Sequence, residues 1–157
     1  MEKPTQLMHP SGLYFVLEEN HQLLSDLALY ITQQQAALIK PHWSSVPFLS
    51  LKDNLALAAK KNTTMEDVLP FLRLDPSIAK KERETLSRLE ELQIQILQAL
   101  LLEKKILVME QVLDNLSTSE IQLLLPMCQE LAKRFDLCIF LIHEDQRFAH
   151  THYMKTL

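Results

Sequence analysis

The chain has 157 residues, 47% of them apolar and 23% charged, with a net charge of −4. This length and balance define one ordinary globular domain with room for a sizeable core, and the lack of any basic block excludes nucleic acid as the main partner. The N-terminal MEKPTQLMHPSG has no apolar secretion-signal core, no run approaches the ~18 apolar residues of a membrane span, and Cys128 and Cys138 are the only cysteines, so a cytoplasmic protein without a disulfide framework is expected.

Leu13 to Leu17 (LYFVL) reads as a buried strand. A helical stretch follows from about Gln22 to Gln35, then a short strand, Ala36 to Ile39, stopped by Pro41. HWSSVPFLS is a loop. Leu51 to Lys61 and Met65 to Leu72 read as short helices, the second opened by a capping box of Thr63 and Glu66. Pro70 and Pro76 bracket a break. Ser87 to Glu103 carries the longest helical signal, with Leu89, Leu92, Ile96 and Leu100 on one face. Ile106 to Met109 is a third strand. Ser117 and Glu120 open a capped helix that runs to about Arg134. Leu137 to Ile142 is a fourth strand, and Tyr153 to Leu157 a short edge strand. Continuous apolar strands between helices predict a parallel sheet covered on both faces, an α/β three-layer fold in a single domain, with a helical insert at about residues 50–103.

The third strand ends in an acid and an amide, Glu110 and Gln111. A buried parallel strand that ends in acids can hand a metal ligand and a base to a phosphate site. The chain contains one glycine, Gly12, against roughly 11 at average usage. A glycine-rich phosphate cradle of the usual form is therefore excluded, because such loops need residues without Cβ where the backbone approaches the ligand.

In the order of its elements and the residues at their ends, the chain from about Leu13 to Leu157 resembles the ATPase domain of ABC transporters. The family's phosphate loop, GxxGxGK[ST][ST], aligns without a gap with EENHQLLSD after the first strand. Glu18, His21 and Leu23 stand at the three glycines and Leu24 at the lysine. Ser25 is kept, and Asp26 replaces a hydroxyl. His42 takes the place of the loop glutamine, followed by VPFLSLKDNL. Leu86-Ser87-Arg88-Leu89-Glu90 stands for the LSGGQ signature. QALLLEKKILVMEQV aligns with the Walker B segment, placing Glu110 at its aspartate and Gln111 at the catalytic glutamate. DNLS (Asp114 to Ser117) follows, and His143 keeps the switch histidine at the end of the fourth strand.

The resemblance implies a P-loop-NTPase-like core. It also implies that this chain lacks the antiparallel strands that precede the phosphate loop in the family and carry an adenine-stacking aromatic. At the loop position Leu24 supplies neither charge nor donor, and Glu18, Glu19 and Asp26 set like charge beside a triphosphate. One such pair at about 4 Å costs on the order of 4 kcal/mol at an effective dielectric near 20. Gln111 can hold a water but cannot take its proton. Ser87 and Glu90 form an ordinary capping box, which satisfies internally the helix end that the family aims at a phosphate.

His143, with His150 and His152, has no carboxylate or thiolate at metal-ligand spacing, so no metal is expected. Cys128 and Cys138 read as small core hydrophobes. Trp43 and Phe48 either anchor a partner from an exposed loop or fold back onto the core. By resemblance, their loop belongs to the groove where a transporter's membrane subunit docks. The expected function is therefore that of a catalytically inactive, ATPase-like interaction or regulatory subunit without cofactor. Its partner would be a transporter membrane subunit or a competent ABC ATPase, and it would reach the inner face of the membrane only through that partner. The isolated chain is expected to self-associate through apolar surface or an open sheet edge left near Leu13 to Leu17. A weak ATP-binding half of a composite heterodimer and a stand-alone homodimeric scaffold are the alternatives.

Overall fold

Apolar runs that alternate with capped amphipathic segments demand a sheet clad in helices. The computed structural model, which describes residues 9–43, 50–58 and 63–157, has that form. Five strands, β1 (Gly12–Val16), β2 (Ala36–Ile39), β3 (Ile106–Glu110), β4 (Cys138–Ile142) and β5 (Lys155–Thr156), make one sheet in the order β2-β3-β4-β1-β5. Every strand pairing among the described residues is parallel. Parallel neighbours need crossovers, and helices supply most of them. α1 (His21–Thr32) joins β1 to β2. α2 (Leu51–Ala58), α3 (Met65–Val68) and α4 (Arg88–Leu101) lie between β2 and β3, and α5 (Thr118–Phe135) joins β3 to β4.

The strand period of two sorts the core into two faces. Tyr14, Val16, Val108 and Phe140 pack with Leu23, Leu27 and Tyr30 of α1. Leu13, Phe15, Leu107, Met109, Ile139 and Leu141 belong to a larger core shared with α2, α4 and α5. The three-layer arrangement expected from the sequence is present.

α4 departs from the one-sided pattern expected of it. It is buried almost all round, from Leu92 to Leu97 and from Ala99 to Leu101. Its amides can sit inside because they have partners. Gln93 Nε2 donates to the carbonyl of Leu72 (2.9 Å). Gln95 spans Lys40, donating to its carbonyl (2.7 Å) and accepting from its N–H (3.1 Å). Gln98 Oε1 accepts from the indole of Trp43 (2.7 Å).

The capping box of Ser117 and Glu120 forms as expected. The box before α3 does not: it pairs Thr64 with Asp67, one residue later than Thr63 and Glu66. The helix expected over Met65 to Leu72 is α-helical only to Val68 and continues as a 3₁₀ helix, Leu69–Leu72. Pro70 has no N–H to bond back into an α-helix. The continuation of α2 toward Lys61 lies outside the described residues.

The strand near Leu13 to Leu17 was expected to leave an open edge or an apolar surface, and this is corrected. β1 pairs with β4 on one side and β5 on the other, and Leu13 to Val16 are buried. The C-terminal segment supplies the missing neighbour: Leu157 donates to Phe15 O (2.8 Å) and its carbonyl accepts from Leu17 N–H (3.0 Å). Cys128 is wholly buried in α5, and burial pushes its thiol up to about 12. Cys138 is only half-buried, with its Sγ 3.4 Å from the carbonyl of His9.

Ile94 sits at 0% exposure in the large core, whereas Leu29 on α1 is 50% exposed. Ile94→Ala is expected to lower stability by about 3–4 kcal/mol and Leu29→Ala by less than about 1 kcal/mol, as read from urea midpoints.

Candidate functional site

In a parallel sheet, the loops that leave the carboxyl ends of the strands share one edge, where such folds place their chemistry. The register sets Val16, Ile142 and Glu110 in one row. The residues that follow them, Leu17, His143 and Gln111, begin the three adjacent loops. The sheet thus brings together the candidates from the first, third and fourth strand ends. The start of α4 joins them through Arg88, whose guanidinium hydrogen-bonds His42 beyond β2.

The β1–α1 connection is a tight turn of residues 17–20. Asn20 accepts from Leu23 N–H through its side chain (3.3 Å) and from Leu24 N–H through its carbonyl (3.1 Å). The Leu23 N–H is one of the orphan donors that an anion at this helix end would require, whereas the Leu24 bond is the helix's own first i→i−4 bond. Glu18 and Glu19 are exposed in the turn, and His21 is exposed at the first position of α1. Leu23 is buried in the core and Leu24 is half-buried. Ser25 is exposed. Asp26 is half-buried and accepts from Gln22 Nε2 (3.0 Å). The glycine and lysine positions of the resemblance therefore fall partly inside the helix.

At the end of β3, Glu110 is exposed, while Gln111 is half-buried with φ 55°. Its N–H donates to Ile142 O (3.0 Å). That left-handed residue turns the chain so that Val112 and Leu113 enter the core, which leaves Asp114 beside His143. The imidazole of His143 is buried at 4% exposure. Its Nδ1 accepts from Asp145 N–H (2.9 Å), so the ring proton sits on Nε2 and is donated to Asp114 Oδ1 (2.8 Å). Phe148 packs edge-on at 5.0 Å between ring centroids. Both nitrogens are occupied within the chain. Asp145 is itself clamped, with hydrogen bonds from the Arg147 side chain and backbone holding its carboxyl down at about 2.

Ser87 caps α4 as expected: Glu90 N–H donates to its Oγ (3.1 Å) and its own N–H donates to Glu90 Oε1 (3.0 Å). Trp43 is 5% exposed and bonded to Gln98, so it has folded back onto the core and is not an exposed anchor. The α4 amides that receive Lys40 and Trp43 are what draw it in. Phe48 lies outside the described residues. Among the described residues no group of three or more His, Cys, Asp or Glu side chains is placed to hold a metal ion.

Three partners were missed from sequence: the Asn20 cap, the Asp114–His143 bond and the Gln95–Lys40 pair. An asparagine before an apolar helical run is a recognisable cap, whereas the other two join residues that are distant along the chain.

No family model matches the sequence, and no curated protein matches it. Solved structures do match the fold. A transporter described as a metal-chelate type ABC transporter, in an inward-facing conformation, superimposes with a TM-score of 0.73 at 19% identity, over 96% of this chain and 69% of its own. CbiO1 from Clostridium perfringens, part of the ABC transporter complex cbiONQ, gives 0.68 at 12% identity, over 87% and 68%. The ATP-binding cassette MJ0796, a dimer in a post-hydrolysis state with ADP and Pi, gives 0.59 at 11% identity, over 88% and 77%. The fold is that of the ATPase domains of ABC transporters.

Removing Asp114 frees one end of a buried ring that water can reach, because the Asp114 side chain is 57% exposed. Asp114→Ala is expected to cost about 1 kcal/mol. His143→Ala also orphans Asp145 N–H and strips the packing on Phe148, and about 2–3 kcal/mol is expected from denaturant unfolding.

Proposed function

We propose that this chain is a relative of the ABC-transporter ATPases whose nucleotide site has been lost. It serves as a non-enzymatic subunit that keeps the ATPase shape and pairs with a transporter membrane subunit or a competent ATPase. It meets the cytoplasmic face of a membrane through its partner; among the described residues no helix is long and apolar enough to cross one.

The observation that carries this reading is the β1–α1 turn. Phosphate binding there depends on free backbone N–H groups and a cation, and in this chain the Asn20 side chain takes the N–H of Leu23, while the N–H groups of Asn20 and His21 bond back to the carbonyls of Leu17 and Glu19. Leu24 offers no ammonium, and Glu18 and Glu19 add negative charge at the same end. Each charged hydrogen bond forgone gives up roughly 1.5–3 kcal/mol, and every 1.4 kcal/mol is about tenfold in affinity. Gln111 in place of a carboxylate and the internally capped Ser87 point the same way. The described residues of His143 and Asp114 are consistent with a histidine kept for structure.

Titration calorimetry of the isolated protein with ATP and Mg²⁺ is expected to show no binding in the micromolar range. A saturable micromolar isotherm contradicts the proposal. Leu24→Lys or Gln111→Glu alone is expected to release no phosphate above the unmodified protein, because defects that act together leave one another limiting. Magnesium-dependent turnover in either variant shows instead a site one step from working.

A further inference from the structure

We propose that the cavity at the amino end of β1 is a binding site for a small organic carboxylate with an apolar body. It lies at the opposite end of the strand from the β1–α1 turn, so the inference stands whether or not the loss of nucleotide binding is upheld.

The cavity, of about 250 Å³, is walled by three stretches that are distant along the chain: residues 10–14, Gln129 and Lys133 of α5, and residues 152–155. This is just under the usual span of small-molecule sites, roughly 300–1,000 Å³, and it limits the occupant to a small molecule.

Strand pairing leaves one donor over in this wall. The residues of a strand offer their backbone groups alternately to the neighbours on either side. Gly12 N–H donates to Leu137 O on the β4 side (3.0 Å). On the other side, Phe15 O accepts from Leu157 N–H and Leu17 N–H donates to Leu157 O. Leu13 is therefore turned toward β5. Its N–H falls one residue before the Tyr14–Lys155 pair at which that ladder begins, and it has no acceptor among the described residues. Leu13 is buried and lines the cavity, and a buried N–H calls for an acceptor.

Two cations stand at the same cavity. Lys133 and Lys155 line it, are exposed, and have no hydrogen-bond or ion-pair partner among the described residues. None of the lining residues is acidic. Asp136, which accepts from Ser11 Oγ, lies outside the lining. Tyr153 and Met154 add apolar surface, with Tyr153 set against the His152 ring at 4.3 Å between centroids. An unpaired N–H and two ammonium groups beside apolar surface suit a carboxylate joined to an apolar body. Inorganic phosphate would leave the apolar surface unused.

The probes are benzoate, its neutral isostere benzamide, and inorganic phosphate, titrated into the 157-residue chain and followed by ¹⁵N–¹H correlation NMR. Benzoate is expected to shift the Leu13 amide saturably and to slow its hydrogen exchange, and benzamide to bind about tenfold or more weakly. Lys133→Met is expected to weaken benzoate several-fold, and Lys133→Met with Lys155→Met about tenfold. Both side chains are exposed, and Lys133→Met leaves the β5 ladder intact, so an unchanged urea midpoint separates lost binding from lost folding.

Equal binding of benzoate and benzamide overturns the proposal, as does benzoate binding that leaves the Leu13 amide unmoved or survives the double substitution undiminished. Saturation by phosphate with none by benzoate identifies an inorganic-anion site and overturns it too. If no probe saturates, the cavity takes water only and the proposal fails.

Discussion

The ladder on either side of β4 is the constraint on which the rest of the molecule depends. β4 pairs along its whole length with β3 on one side and β1 on the other, and Ile139, Phe140 and Leu141 have no exposed surface. A strand buried on both faces has no freedom to slip, because a shift by one residue would exchange the two cores. Phe140 must meet Tyr14, stacked at 5.6 Å, on the α1 face, while Ile139 and Leu141 enter the larger core. That register decides where each strand ends. It is why a turn after Val16, a left-handed residue after Glu110 and a histidine after Ile142 lie side by side.

At that edge the local chemistry works inward. Asn20 closes the first turn of α1, Glu90 and Ser87 close the start of α4, Gln111 donates to β4, and His143 spends both nitrogens on Asp145 and Asp114. Each bond satisfies a group that would otherwise have to be paired with water or a ligand. None needs glycine. Gln111 accepts a left-handed φ of 55°, at a strain of order 1 kcal/mol, and Gln34, Arg73, Glu103 and Asp136 do the same. A chain with a single glycine can therefore turn sharply where it must, with side chains in place of bare backbone.

The layers and the strands were legible because periodicity and burial are local. LYFVL, AALI, ILVM and LCIFLI stand out as apolar runs, and each appears as a strand within a residue of its expected bounds. Ser87 and Ser117 were legible for the same reason, since a capping box is contained in four residues. The box before α3 slipped because Thr63 and Thr64 both precede an acid three residues on, so the choice is made by packing: Val68 and Leu69 must be the ones that turn inward. Trp43 was ambiguous in the sequence because its partner, Gln98, is 55 residues away. The pairing of β5 with β1 was hidden for the same reason: two residues, Lys155 and Thr156, carry no apolar signal, and only their position beside Tyr14 and Phe15 gives them a role. The candidate site was legible as a set of positions but not as a set of bonds.

The two rims of this sheet are closed by different means. At the carboxyl edge, caps and turns satisfy one another, from Asn20, Ser87 and Glu90 to His143 and Asp145. At the lateral edge the closure is tertiary. β2 has a strand neighbour on one side only, yet Ala36 and Ile39 are buried, and Gln95 of α4 takes both backbone groups of Lys40 just past the strand. A sheet can close an edge with a short strand, as β5 does beside β1, or cover it. The amides of α4 serve the second purpose, which is why that helix is buried almost all round and not on one face alone.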